Sequence, residues 1–121
     1  FEMNIEEFRE YCIAKKGVTE SFPFDEFVLV FKVMGKMFAL ANTGNFNGFS
    51  LKCDPERAIE LREEYPHGIK GAWHMNKTHW NSVHPEEDVP PELVRELIDH
   101  SYDLIVASLT KKLQKELAEL D

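Results

Sequence analysis

Two runs of strand-forming residues, Val28-Leu29-Val30-Phe31-Lys32-Val33 and Lys36-Met37-Phe38-Ala39-Leu40-Ala41, are separated only by Met34-Gly35. β-branched and aromatic side chains suit a pleated, half-buried surface, and so short a gap containing glycine joins antiparallel neighbours. A β-hairpin is therefore predicted, and the other segments must fit around it. Asn42 to Gly48 is rich in residues that tolerate positive φ and reads as a loop, after which Phe49-Ser50-Leu51-Lys52-Cys53 continues the meander as a third strand. Ala72 to Val83 reads as one or two further strands around His79-Trp80-Asn81-Ser82-Val83.

Helical periodicity takes over on either side. Asn4 is placed as an N-cap with Glu7 as the other half of a capping box, and Ile5, Phe8, Cys12 and Ile13 recur on one face of a helix expected to reach about Lys16 before Gly17. Asp54-Pro55-Glu56 opens a second helix ending near Glu64, since Asp caps well and proline at the first helical position forfeits a donor that had no partner. The longest helix starts at Pro90-Pro91, with a core stripe of Leu93, Val94, Leu97, Ile98, Tyr102 and Ile105. A last helix follows Thr110, with Leu113, Leu117 and Leu120 inward. The order helix, strands, helix, strands, two helices predicts an α+β fold, an antiparallel sheet with helices packed on one face. With 43% hydrophobic residues among 121, nine Phe and two Trp, there is material for one core. A single domain is expected over residues 3–121, Phe1-Glu2 reading as a cloning remnant ahead of Met3.

No apolar run approaches the ~20 residues that cross a bilayer, and no charged-then-apolar leader opens the chain, so a cytoplasmic protein away from membranes is expected. Cys12 and Cys53 are too few for a disulfide framework and read as buried thiols. The net charge of −8 disfavours indiscriminate attraction to polyanions, yet the charge is uneven. Phe27 to Cys53 holds Lys32, Lys36 and Lys52, Tyr65 to Pro85 holds Lys70 and Lys77 with four histidines, and neither segment contains an acid. All 22 acids lie outside these two segments. Strands are poor in Asp and Glu in any protein, which accounts for part of this. The functional reading is an anion-binding surface on which these five lysines gather, Lys32 and Lys36 reaching out from the same end of the hairpin.

The densest stretch is Ala72-Trp73-His74-Met75-Asn76-Lys77-Thr78-His79-Trp80-Asn81-Ser82-Val83. Together with Asn4 to Arg9, the Lys32 to Leu40 hairpin, Leu51 to Pro55 and Leu97 to Tyr102, it resembles the MmcQ/YjbR family of small bacterial proteins over nearly the whole chain, the Met-Asn-Lys-x-His-Trp-Asn core being its most specific signature. The resemblance implies a fold akin to the CyaY (frataxin-like) architecture and a DNA-binding role through a double-wing arrangement of sheet and loops. It points to Met75, Asn76, Lys77, His79, Trp80 and Asn81. Many members carry a second basic residue after the one matching Lys77; Thr78 stands here instead, one charge fewer. On ordinary grounds Trp80 and Met75 are expected in the core and Asn76 in a turn, leaving Lys77 and His79 as contacts.

Enzyme and metal chemistry find little support. His74, His79 and His84 recur every five residues, so on one strand the middle ring would point away from the others. Asp99-His100-Ser101 has the residue types of a hydrolase triad, but neighbours on a helix diverge. Glu6, Glu7 and Glu10 on the first helix read as a solvated face, not an iron site. Lys111 and Lys112 oppose the dipole of the last helix, a conflict that marks either a binding role or a helix held by its leucines. The expected function is a monomeric, non-enzymatic binding domain without cofactor or metal, holding DNA independently of base sequence through Lys32, Lys36, Lys52, Lys70, Asn76, Lys77 and His79. The alternatives are an acidic protein partner on the same surface, or a small molecule in a pocket near Trp73, His74 and Trp80.

Overall fold

Asn4 caps the first helix, α1 (Ile5–Ile13), its side-chain oxygen accepting the Glu7 N–H at 2.8 Å. The helix stops short of Lys16. In a computed structural model describing residues 4–44, 48–72, 75–85 and 87–120, Gly17 at φ 75° turns the chain into an edge strand, β1 (Val18–Ser21), which the sequence pattern leaves unassigned. A Cβ on Gly17 would lie 2.5 Å from Leu117 Cδ1, so glycine serves both the turn and the packing there.

The hairpin forms as predicted, with β2 (Val28–Val33) and β3 (Lys36–Asn42) joined at Met34 and Gly35, whose φ values of 50° and 87° are those of a tight hairpin turn. Methionine pays about 1 kcal/mol for that conformation. The loss is offset where Met34 packs against the core and its N–H reaches the Gly17 carbonyl at 3.1 Å. Then come β4 (Phe49–Lys52), α2 (Pro55–Glu64), β5 (Ile69–Gly71), β6 (Trp80–Val83), α3 (Pro91–Ser108) and α4 (Lys111–Glu119). Asp54 and Thr110 cap α2 and α4 through the Arg57 and Leu113 N–H groups.

The six strands form one antiparallel sheet in the order β1-β2-β3-β4-β6-β5. Phe31, Val33, Ala39, Ala41, Phe49, Leu51, Ile69 and Val83 point to one side and join a single buried cluster to which all four helices contribute, including Phe8 of α1, Leu61 of α2, Ile98 of α3 and Leu117 of α4. The predicted one-sided packing is what forms. Phe8 stacks on Phe49 at 4.1 Å between ring centres and meets Phe31 edge-on, so α1 is seated by aromatic contacts.

Two departures from regular pairing shape the middle of the sheet. Phe31 faces Ala39 while Lys32 faces Met37, so Phe38 is an extra residue in β3, a bulge that lets Phe38 and Ala39 both be buried. Across the next seam the buried Ser101 hydroxyl of α3 accepts the Lys52 N–H at 2.9 Å and donates to the Phe38 carbonyl at 2.6 Å. A side chain stands where the β3–β4 ladder would otherwise continue, and both backbone groups stay satisfied.

Candidate functional site

Side chains alternate along a strand, so the register also says what lies on the side of the sheet away from the helices. That open face carries Thr19 and Ser21 of β1, Val28, Val30 and Lys32 of β2, Met37, Leu40 and Asn42 of β3, Ser50 and Lys52 of β4, Trp80 and Ser82 of β6, and Lys70 of β5. None is acidic. The one carboxylate in the six strands, Glu20, pairs across from Phe31 on the helix side and binds Arg9 of α1.

The lysines of the open face are spread over it. Lys32 and Lys52 stand two strands apart, about 10 Å by ordinary strand spacing, near the end of the sheet marked by the Met34-Gly35 turn. Lys52 faces Trp80 across the β4–β6 pair. Trp80 is only 8% exposed although it lies outside the helix-packed cluster, so a mostly buried indole sits between strand lysines. Lys70 is exposed on the far edge strand.

The connection into β6 adds two groups at the same end. Asn76 behaves as its chemistry predicts: its side-chain oxygen accepts the Thr78 N–H at 2.8 Å and its carbonyl accepts from His79 and Trp80, closing a turn that leaves Lys77 and His79 exposed. The stem of Lys77 lies over Gly71, where a Cβ would meet it at 3.2 Å. Met75 is half-buried. Trp73 and His74 lie outside the described residues, and with them the small-molecule pocket expected there.

Two expectations about placement need correction. Lys36 pairs with Val33, not with the Lys32 side, so the hairpin lysines lie on opposite faces. Lys36 Nζ lies 3.4 Å from the carbonyl of Ser108 at the end of α3, where a cation meets the negative end of the helix dipole and α3 has no basic residue of its own in its last turn. Asn81, part of the signature, points to the helix side and is buried; its side chain accepts from Arg62 Nε at 2.7 Å and donates to the Ala58 carbonyl at 3.4 Å. It ties β6 to α2 and has no access to a ligand on the open face.

Arg62 is the residue that sequence reasoning passes over. From α2 its guanidinium binds the Asn81 side chain and the Lys77 carbonyl, bracing the turn that presents Lys77 and His79. An arginine in an exposed-looking helix turn gives no signal of this, because the partners lie 15 and 19 residues away.

Among the described residues, the members of the hydrolase-like run each have a structural partner. Asp99 binds Lys15 and the Tyr11 hydroxyl, His100 Nε2 accepts the Asp54 N–H at 3.2 Å, and Ser101 bridges the sheet seam, so three neighbours in sequence serve three separate contacts. Burial pushes the Cys53 thiol up to about 11 and Cys12 higher still, leaving both protonated at neutral pH. His79 and His84 flank β6, roughly 15 Å apart along the strand. Among the described residues no three His, Cys, Asp or Glu are grouped to hold a metal.

The YjbR family model matches residues 13–104, which take in every strand and most of α3 and leave α4 outside. YbdF of Escherichia coli O157:H7 is 41% identical over 96 residues, 78% of this chain and 78% of its own. YjbR of Escherichia coli K12 is 33% identical over 119 residues, 98% of this chain and 100% of its own. The crystal structure of Deinococcus radiodurans DR2400, a DUF419 domain, superposes with a TM-score of 0.90 at 38% identity, covering 97% of this chain and 89% of that one.

Proposed function

The chain belongs to the YjbR family, and from that premise we propose that it is a non-enzymatic, cytoplasmic binding domain that holds the phosphate backbone of DNA, as a monomer, against the open face of its sheet. The observation that carries this reading is the acid-free face itself, with Lys32, Lys52 and Lys70 on it and Lys77 and His79 beside it at the entrance to β6. Lysine is a flexible point charge suited to phosphate, and phosphate contacts position a protein without reading bases. Binding independent of base sequence follows. The overall charge of −8 then orients the encounter, since the acid-rich helical side repels the polyanion and the open face alone admits it. The separate engagement of Asp99, His100 and Ser101 supports the non-enzymatic part.

Four phosphate contacts release about four counterions, so affinity should fall roughly 100-fold between 50 and 200 mM salt. The test is a 15N NMR titration with a short duplex at both concentrations. Shifts at Lys32, Lys52, Lys70, Lys77 and His79, absent at Lys36 and reversed by salt, are the expected result. No shifts even at low salt would reject DNA. A second reading, an acidic protein on the same face, draws on the same lysines, which attract carboxylates as they do phosphates. Shifts on the same face with polyglutamate but none with the duplex would transfer the proposal to that partner.

A further inference from the structure

The connection between β1 and β2 holds three large apolar side chains in solvent: Phe22 is 48%, Phe24 67% and Phe27 49% exposed. The chain does not lack the means to bury phenylalanine, since Phe8, Phe31, Phe38 and Phe49 are almost wholly enclosed. Nor is the loop slack. Asp25 Oδ1 accepts the Phe27 and Val28 N–H groups at 2.8 Å each, which holds that carboxyl below its usual range and keeps it charged. The Phe27 carbonyl accepts both the N–H and the hydroxyl of Thr43 at 2.8 Å, and the Phe27 ring lies so close over Gly44 that a Cβ there would sit 2.8 Å from it. Pro23 restricts the backbone between the first two rings. Three exposed aromatics within six residues of one built loop concentrate apolar surface in the way that marks an interaction site.

The charge around them chooses among occupants. From Gly17 to Phe31 there is no Lys or Arg, and of the acids Glu20, Asp25 and Glu26 only Glu20 makes an ion pair among the described residues. We propose that the Phe22–Phe27 loop docks a protein partner whose apolar pocket is rimmed by lysine or arginine. Stacking of nucleic-acid bases on the rings would bring phosphates against Asp25 and Glu26, and an anionic membrane meets the same repulsion. A second copy offering the same loop would set like charges together. Aromatic anchors entering a pocket, with charge complementarity at the rim, are how small patches hold partners. The loop lies at the end of the sheet opposite Lys32, Lys52 and Lys77, so partner and polyanion can be held at once.

The experiment is peptide display on the immobilised domain, with counter-selection on a Phe22→Ser/Phe24→Ser/Phe27→Ser variant. Peptides combining apolar residues with Lys or Arg are expected to survive. A synthesised survivor should bind at least tenfold more weakly to Phe24→Ser and to Glu26→Lys, a change that leaves the Asp25 hydrogen bonds in place. Unchanged circular dichroism and melting of both variants show that the fold is intact. Survivors without basic residues, equal binding to Glu26→Lys, or no loop-dependent peptide at all would overturn the proposal. Phe24-dependent uptake by phosphatidylcholine vesicles would also overturn it in favour of a membrane. A dimer in ultracentrifugation that Phe24→Ser abolishes would do so in favour of self-association.

Discussion

The two ends of the sheet are built from the same strands and present opposite chemistry. At the Met34-Gly35 end stand Lys32, Lys52, Lys77 and His79 without a strand carboxylate; at the other, Phe22, Phe24 and Phe27 stand with Asp25 and Glu26. Long, hydrated lysines on strands make an adaptable cationic surface, whereas short, stiff phenylalanines on a pinned loop make a shaped one. An antiparallel sheet delivers this separation cheaply, because every second connection returns to the same end. The contrast teaches that net charge says little about a protein of this kind: the value of −8 is an average over regions that would seek different partners.

Glycines give the sharpest test of how rigid each end is. Gly48, near the aromatic end, has φ 114° and a Cβ there would lie 2.3 Å from the Val83 carbonyl oxygen, so Gly48→Ala should cost about 4 kcal/mol, the sum of backbone strain and overlap. Gly35, at the basic end, has φ 87° with nothing within 4 Å, and Gly35→Ala should cost only about 1 kcal/mol. Urea denaturation of both variants measures the difference. Equal costs would mean that the two ends are held alike.

Charge reversal separates the ends functionally. Lys32→Glu/Lys52→Glu/Lys77→Glu should weaken duplex binding by at least about 100-fold at 50 mM salt, near 2.7 kcal/mol, while Phe24→Ser leaves it unchanged in the same fluorescence titration. A loss on Phe24→Ser would merge the two surfaces into one. Ser101→Ala tests what holds the basic end together, since it strands the Lys52 N–H and the Phe38 carbonyl in a buried seam; a loss of about 2 kcal/mol is expected by chemical denaturation.

The smallest effect concerns pH. Burial first, and the Arg57 cation second, hold the His100 imidazole below its ordinary value of 6.5, so the folded protein favours the neutral ring that accepts the Asp54 N–H. Its contribution is complete above pH 6.5 and is lost as the pH falls from there through the lowered folded value. Urea midpoints should decline over that window, and His100→Gln, which keeps an acceptor, should flatten the decline. An unchanged slope would remove His100 from the account of the basic end.

The fold was largely legible because its signals are local. A two-residue turn between strand-like runs, caps at Asn4, Asp54 and Thr110, and apolar stripes on the helices each act within a few residues. β1 escaped because a four-residue edge strand half-buries only Val18 and Glu20 and shows no apolar alternation. β5 escaped because three residues beside glycine carry no period. The candidate site was legible in composition and not in arrangement: lysines could be counted, but which face each takes depends on register. Lys36 left the set for that reason, and Asn81 proved to be a strut between β6 and α2. The exposed phenylalanines are plain in the sequence but look there like ordinary core material, because what sets them apart is the loop that Asp25 closes.

The extra residue at Phe38 acts on the strand as a frameshift acts on a message. A strand is read in twos, one position inward and the next outward, and Phe38 moves that reading by one. Downstream of it, small Ala39 and Ala41 fall beneath α3 while Leu40 falls outward. Pairing the full-length strand without the bulge would set Phe38 against Phe31 and exchange leucine for alanine under the longest helix, whereas deleting Phe38 would leave Ala39, Leu40 and Ala41 on their present faces. Because the Met34-Gly35 turn fixes the phase on one side and the core fixes it on the other, the strand can shed this one residue in register but cannot take up another without a second bulge.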